Sequence, residues 1–244
     1  MQSNTPPLPR GGSRRNVDTR ARLHILSFIS CRRSRELHPR CGEPRMATSS
    51  PTIRFTIGQY DQMIAAGVLA NPVWSSETGQ EGPRVELFEG EIVMMSPIGP
   101  RHEDIVDRLN AWSSQSISPK IARVRIQHSL AIPGRQSVPQ PDVAWVRPRD
   151  YAASRPEAAD ALLVIEVAET SLRHDLEEKA AVYSAGGIPE YWVVDAVAET
   201  VHVLRSPGPK GYAEHRVASR GERIVPIACP DVSLSIDTLF GSRI

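Results

Sequence analysis

Asp142 opens an apolar run, Pro141-Asp142-Val143-Ala144-Trp145-Val146, and Glu166 lies inside a second, Leu162-Leu163-Val164-Ile165-Glu166-Val167. Asp175 and Lys179 follow, four residues apart, in a segment with helical patterning. An ionised carboxylate is costly to bury, so in an apolar strand it needs a partner, usually a cation. Two carboxylates and an ammonium are the minimal kit for holding a divalent ion and steadying charge on a phosphate. If the two runs are neighbouring strands, Asp142 and Glu166 can face one cleft and share Mg²⁺ or Mn²⁺. Such an ion takes one or two carboxylates plus waters and a substrate oxygen, and lowers the pKa of a bound water. Lys179, one helical segment away, could then activate the water or stabilise charge on the phosphorane. Structural readings compete at each position. Pro-Asp is common turn chemistry, a lone strand glutamate can simply pair with a lysine, and Asp175–Lys179 can be a solvated pair worth about 0.3–0.5 kcal/mol.

The elements that must position these groups are legible in outline. Thr56-Ile57-Gly58-Gln59 is a capping box, and its helix should end near Gly67. Residues 71–83 read as a loop. Residues 85–88 and 92–95 read as two strands around Glu89-Gly90, a hairpin. Pro100 should open a helix over 101–115, with Ile105, Leu109 and Trp112 on one face. Residues 122–132 alternate as a strand, with Val124, Ile126 and His128 on one side. Residues 143–146 and 162–167 are the short continuous apolar runs of buried central strands. A helix over 172–185 is capped by Gly186, strands follow at 191–194, 201–204 and 212–217, and a short helix ends the chain at 235–240. The pattern predicts a mixed α/β domain around one sheet.

Composition excludes several classes. Apolar content of 40% and charged content of 23% are ordinary for a globular protein. The net charge of +1 conceals an asymmetry: residues 1–45 carry ten arginines against three acidic residues, a net +7. The remainder carries 19 basic against 25 acidic residues, a net −6, so it is not a generic basic nucleic-acid binder. Residues 1–45 read as a disordered basic tail, and 46–244 as a single domain. Met46 reads as the natural start, with a basic phosphate-binding arm as the competing account of the tail. Three cysteines without ligand spacing fit a reduced cytoplasmic setting, and no apolar run reaches membrane-span length. A homodimer is compatible with the sequence.

The order Pro141-Asp142, Glu166-Val167, Lys179, Tyr183 and Gly187-Ile188-Pro189-Glu190-Tyr191-Trp192-Val193-Val194-Asp195 resembles the Uma2 family, restriction-endonuclease-like proteins of the PD-(D/E)XK superfamily. Glu86-Leu87-Phe88-Glu89-Gly90-Glu91-Ile92-Val93 and Ser96-Pro97-Ile98-Gly99-Pro100-Arg101-His102 extend the similarity, which runs from about residue 52 to 217. The resemblance implies a restriction-endonuclease-like mixed β-sheet flanked by helices. It also implies a Mg²⁺- or Mn²⁺-dependent endonuclease acting on DNA, with Asp142, Glu166 and Lys179 as catalytic residues. Asp142 and Glu166 hold the metal in that reading. Ala168 stands where the superfamily pattern has lysine, and the resemblance implies that Lys179 supplies the ammonium from the following helix. Glu86 is a candidate third metal ligand or an edge-strand surface glutamate. His102 reads as a polar residue at a helix start, since Mg²⁺ prefers oxygen. Gln127 can project into the same cleft, and Tyr183 and Trp192 read as packing residues. The alternative function is a non-catalytic nucleic-acid or protein interaction module. A metal-dependent hydrolase of another substrate is a third reading, which the acidic body allows.

Overall fold

A computed structural model describes residues 52–69 and 84–241 of the protein. The basic tail over 1–45 and the predicted loop over 71–83 lie outside the described residues.

Helix α1 (Ile57–Ala65) begins at the capping box: the Gln59 N–H donates to Thr56 Oγ1 at 3.2 Å, and the Thr56 N–H to Gln59 Oε1 at 2.9 Å. Strands β1 (Val85–Phe88) and β2 (Glu91–Met94) then pair antiparallel. The turn between them has positive φ at both Glu89 (49°) and Gly90 (83°), the twist that a two-residue hairpin requires. This hairpin is a sheet of its own, tied to the body by the Val138 N–H donating to the Leu87 carbonyl at 2.7 Å. The expectation of one sheet is corrected accordingly.

The main sheet has six strands, in the order β3-β4-β5-β6-β7-β8: Arg123–Ile126, Val143–Val146, Ala161–Ala168, Glu190–Asp195, Thr200–Gly208 and Gly211–Ala218. Only β5 and β6 are parallel neighbours. A parallel pair needs a crossover. It is a helical run of α3 (Leu172–His174), a π-helical turn (Asp175–Lys179) and α4 (Ala180–Ala185). Helix α2 (Pro100–Ser116) supplies Ile105, Val106 and Leu109 to one face of the sheet. There Trp112 stacks on Trp145 and Trp192, with centroids 5.1 and 5.8 Å apart. On the other face Tyr183 and Val182 of α4 pack with Val164, Tyr191 and Val193. Alternation along β5 therefore sends Ile165 and Val167 toward α2, and Val164, Glu166 and Ala168 toward the crossover.

One further expectation needs correction, and one element was missed. The strand over 122–132 stops at Ile126, because Gln127 takes a left-handed conformation (φ 51°) and turns the chain. Leu130 and Ile132 are then buried in the core under α4, while Ile126 packs against the α2 side. A short clasp, β9 (Arg223–Ile224) with β10 (Leu234–Ser235), precedes helix α5 (Ile236–Phe240) and carried no visible sequence signal. No described helix is long and apolar enough to cross a membrane.

Candidate active site

The start of β4 lies beside the end of β5 because the strands run antiparallel, Val143 facing Ile165. This register sets Asp142 against the main chain at Val167, whose N–H donates to Oδ2 at 2.8 Å. Oδ1 meets His102 Nε2 at 2.9 Å and accepts from Gln127 Nε2 at 3.2 Å. Glu166 lies one residue before Val167. Its Oε1 accepts from Tyr183 Oη at 2.7 Å and pairs with Lys179 Nζ at 3.0 Å. Lys179 also pairs with Asp175 at 3.4 Å, and the Ser171 hydroxyl donates to the other oxygen of Asp175 at 2.5 Å. Asp142, Glu166, Lys179, Glu86, His102 and Gln127 all line one cleft of about 740 Å³. The three residues proposed for catalysis and the proposed third ligand thus share one cavity.

The crossover helix reaches this cleft through its π turn. In a regular α-helix a step of four residues overshoots a full turn by about 40°. Asp175, Lys179 and Tyr183, each four apart, would drift off a single face. The wider π turn takes up that drift, so that Lys179 bridges Asp175 and Glu166 and Tyr183 reaches the same Glu166 oxygen.

Electrostatics follow from burial. Asp142 is 7% exposed and Glu166 3%. Burial alone would raise the Asp142 carboxyl, but the His102 hydrogen bond and charge, the Val167 N–H and Lys179 outweigh it and leave the group below its usual range. Glu166 goes the other way. Burial pushes it up to about 8, Asp142 and Asp175 add to the rise, and Lys179 and Tyr183 offset only part. Burial would lower the Lys179 ammonium, but Glu166, Asp175 and Glu86 hold it above its usual value, so it stays protonated. Burial likewise opposes protonation of His102, and the hydrogen bond and charge of Asp142 reverse that, leaving the imidazole raised. Lys179 alone does not offset the burial of Glu166, so without a further cation this carboxyl tends to hold a proton near neutral pH.

The donor set fits a hard divalent ion. Its donors are carboxylate oxygens, and Glu166 Oε2 accepts no hydrogen bond from any described residue. Among the described residues no group of three histidine, cysteine or carboxylate side chains could hold an ion. Mg²⁺, which keeps several waters and takes one or two carboxylates, does not need such a cage. Glu86 is buried, not an exposed edge residue, and its Oε2 accepts the Gln140 N–H at 3.1 Å.

His102 does stand in the first turn of α2, but it also holds Asp142, a contact across forty residues that no spacing announces. Tyr183 packs against Tyr191 as expected, yet its hydroxyl also holds Glu166. Trp192 is fully buried, and its Nε1 donates to Glu190 at 2.9 Å, so the packing reading holds. The competing reading of Asp175–Lys179 as a solvated surface pair is corrected, since Asp175 is 2% exposed.

The sequence model of the family described as "Uma2: Putative restriction endonuclease" matches residues 74–237. No curated protein sequence matches the chain. Among solved structures, the chain resembles one described as "a putative nuclease belonging to DUF820 from Anabaena variabilis". The TM-score is 0.51 at 21% identity, over 65% of this chain and 90% of that one. At that identity the likeness carries the fold alone: a six-stranded mixed sheet flanked by helices, shared with a nuclease-type neighbour. The family match spans well over half of the sequence, and the chain belongs to the Uma2 family.

Proposed function

We propose that the cleft is the active site of a divalent-cation-dependent nuclease that hydrolyses phosphodiester bonds of DNA. The observation that most supports this is the gathering of Asp142, Glu166 and Lys179 about one cavity, with the ammonium 3.0 Å from Glu166. A bound Mg²⁺ or Mn²⁺ supplies Lewis-acid charge and a water of lowered pKa. Asp142 and Glu166 are the residues that would hold it, with Glu86 across the cleft. His102, Gln127 and the Val167 N–H keep Asp142 ionised and aimed, and Tyr183 fixes Oε1 of Glu166 so that Oε2 is the oxygen left to bind. Lys179 stays protonated, so it does not take a proton from water near neutral pH; it stabilises charge on the phosphate.

A second reading, a non-catalytic interaction module, draws on Lys179 being paired with both Glu166 and Asp175, and on the acid excess of the body. The test is incubation of the full chain with plasmid, single-stranded DNA and RNA in Mg²⁺, Mn²⁺ or EDTA, beside Asp142→Ala. Metal-dependent cleavage of DNA that Asp142→Ala abolishes is the expected result. Binding without cleavage in every metal supports the module, and cleavage by Asp142→Ala equal to wild type removes the assignment of the site.

A further inference from the structure

Among the described residues, eight carboxylate side chains line the cleft, and nearly every cation there already has one of them. Arg54 pairs with Glu91 at 3.2 Å, His174 with Glu178 at 3.2 Å and His102 with Asp142 at 2.9 Å. Lys179 pairs with Glu166 and Asp175. Arg84 is the exception: among the described residues it has no carboxylate within ion-pair distance. Its guanidinium is held by neutral groups. Nη1 donates to Gln127 Oε1 at 3.3 Å, and Nη2 donates to the Gln127 carbonyl at 3.5 Å and to Gln140 Oε1 at 2.8 Å. Gln140 is fixed in turn, its side-chain amide donating to the Val85 carbonyl at 2.9 Å. A guanidinium has five N–H donors. Among the described residues these three bonds leave the Nε–H and one Nη1–H unused, on an exposed side chain at the cleft wall.

This is how a cation is kept for an incoming anion. The amides fix its position without neutralising it, so its full charge remains available in a cavity that otherwise repels a polyanion. A guanidinium fork matches two phosphate oxygens, which a lone ammonium does not. The placement is also specific. Gln127 accepts from Arg84 with its amide oxygen and donates to Asp142 with its amide nitrogen, so one side-chain amide separates the guanidinium from the catalytic carboxylate. We propose that Arg84 is the phosphate clamp of the cleft, binding a backbone phosphate of the DNA strand beside the one presented to Asp142 and Glu166. This rests on the nuclease reading above and adds to it how the strand is gripped and kept in register.

The test measures binding of fluorescein-labelled oligonucleotides, single- and double-stranded, to the full chain by anisotropy in Ca²⁺ and in EDTA across a salt series. Cleavage kinetics in Mg²⁺ run alongside. Arg84→Gln is expected to weaken binding about tenfold, to reduce the salt slope by about one and to raise KM more than it lowers kcat. Arg84→Lys is expected to recover part of the affinity, since it keeps the charge and loses the fork. A single neutral methylphosphonate linkage beside the cleaved bond should weaken wild-type binding by the same factor and have no further effect on Arg84→Gln. If Arg84→Gln binds with unchanged affinity and slope while wild type cleaves DNA, the clamp is overturned and the nuclease reading stands. If Arg84→Gln instead loses stabilisation by Mg²⁺ with the salt slope intact, Arg84 only props Gln127, and the clamp is again overturned. If wild type neither binds nor cleaves DNA in any metal, both readings fall together.

Discussion

Asp142 accepts from three donors, and that decides what its removal does. Repulsion from Glu166 in the metal-free site argues that Asp142→Ala should be neutral or stabilising. The same change leaves the buried Val167 N–H and His102 without an acceptor, and a buried unsatisfied group costs about 1–3 kcal/mol. A net loss of that order is expected in EDTA, together with loss of the rise in melting temperature that Mg²⁺ gives the wild type by linkage. Melting curves of both proteins with and without Mg²⁺ read both effects, and an equal Mg²⁺ response would place the ion elsewhere. Lys179→Ala should be more damaging, about 3–5 kcal/mol, because Glu166 and Asp175 remain buried without their cation. Mg²⁺ should recover part of that loss, which melting temperature also reads. The pH dependence has a definite sign. Glu166, raised from 4.5 to about 8, gains a proton on folding, so its contribution is full below about pH 4.5 and is lost as pH rises through about 8. His102, also raised, acts in the same direction above its ordinary value of 6.5. Asp142, lowered, contributes above pH 3.8 and loses that contribution only in acid. Metal-free protein should therefore melt lower at pH 8.5 than at pH 5.5, and Glu166→Gln should flatten the decline; a flat wild-type profile would contradict the raised carboxyl. The sequence made Asp142, Glu166 and Lys179 legible because charges inside or after apolar runs are anomalous. It hid His102 and the Tyr183 hydroxyl, whose residue types have ordinary reasons to be where they are.

At the level of elements, the π turn is the part that aims Lys179. Deleting Glu177, an exposed residue in that turn, should restore a regular helix and rotate Lys179 relative to Glu166. Cleavage should fall by about a hundredfold or more with circular dichroism retained, since a displacement of about 1 Å at a catalytic group can cost that much. Glu177→Ala, which removes only a solvated pair with Arg173, should cleave as wild type does. Periodicity predicted the helix over 172–185 but not this turn, because one extra residue leaves no mark on an apolar pattern so short. The hairpin was more legible. Glu89-Gly90 announces left-handed backbone, and a Cβ at Gly90 would lie 3.0 Å from Arg54 Cβ and 3.2 Å from the Phe55 carbonyl. Gly90→Ala should cost about 1–2 kcal/mol or more in chemical denaturation. The strand predicted over 122–132 failed at Gln127. Alternation continues through that residue, but the chain bends there to aim its amide at Asp142.

For the whole molecule, fold class and the succession of elements along the chain were readable because the two central runs and the crossover helix carry strong patterns, whereas the order of strands in the sheet was not. The β9–β10 clasp of two residues per strand is too short to carry one. Charge is divided between a basic segment over 1–45 and an acidic remainder. A chain beginning at Met46 should melt at the same temperature as the full chain, since the tail has too little apolar content to offset its ordering; a clear drop would show that the tail packs on the domain. The stacked Trp112, Trp145 and Trp192 give these measurements an internal instrument. Three of the four tryptophans form one cluster, each indole N–H is satisfied, and the cluster lies across the sheet from Glu166 and Tyr183. Its ultraviolet emission should therefore change when α2 parts from the sheet and stay constant when the opposite face takes up an ion or a strand. With Trp74→Phe removing the fourth emitter, the fluorescence of the native protein becomes a gauge of global unfolding that is blind to ligand occupancy.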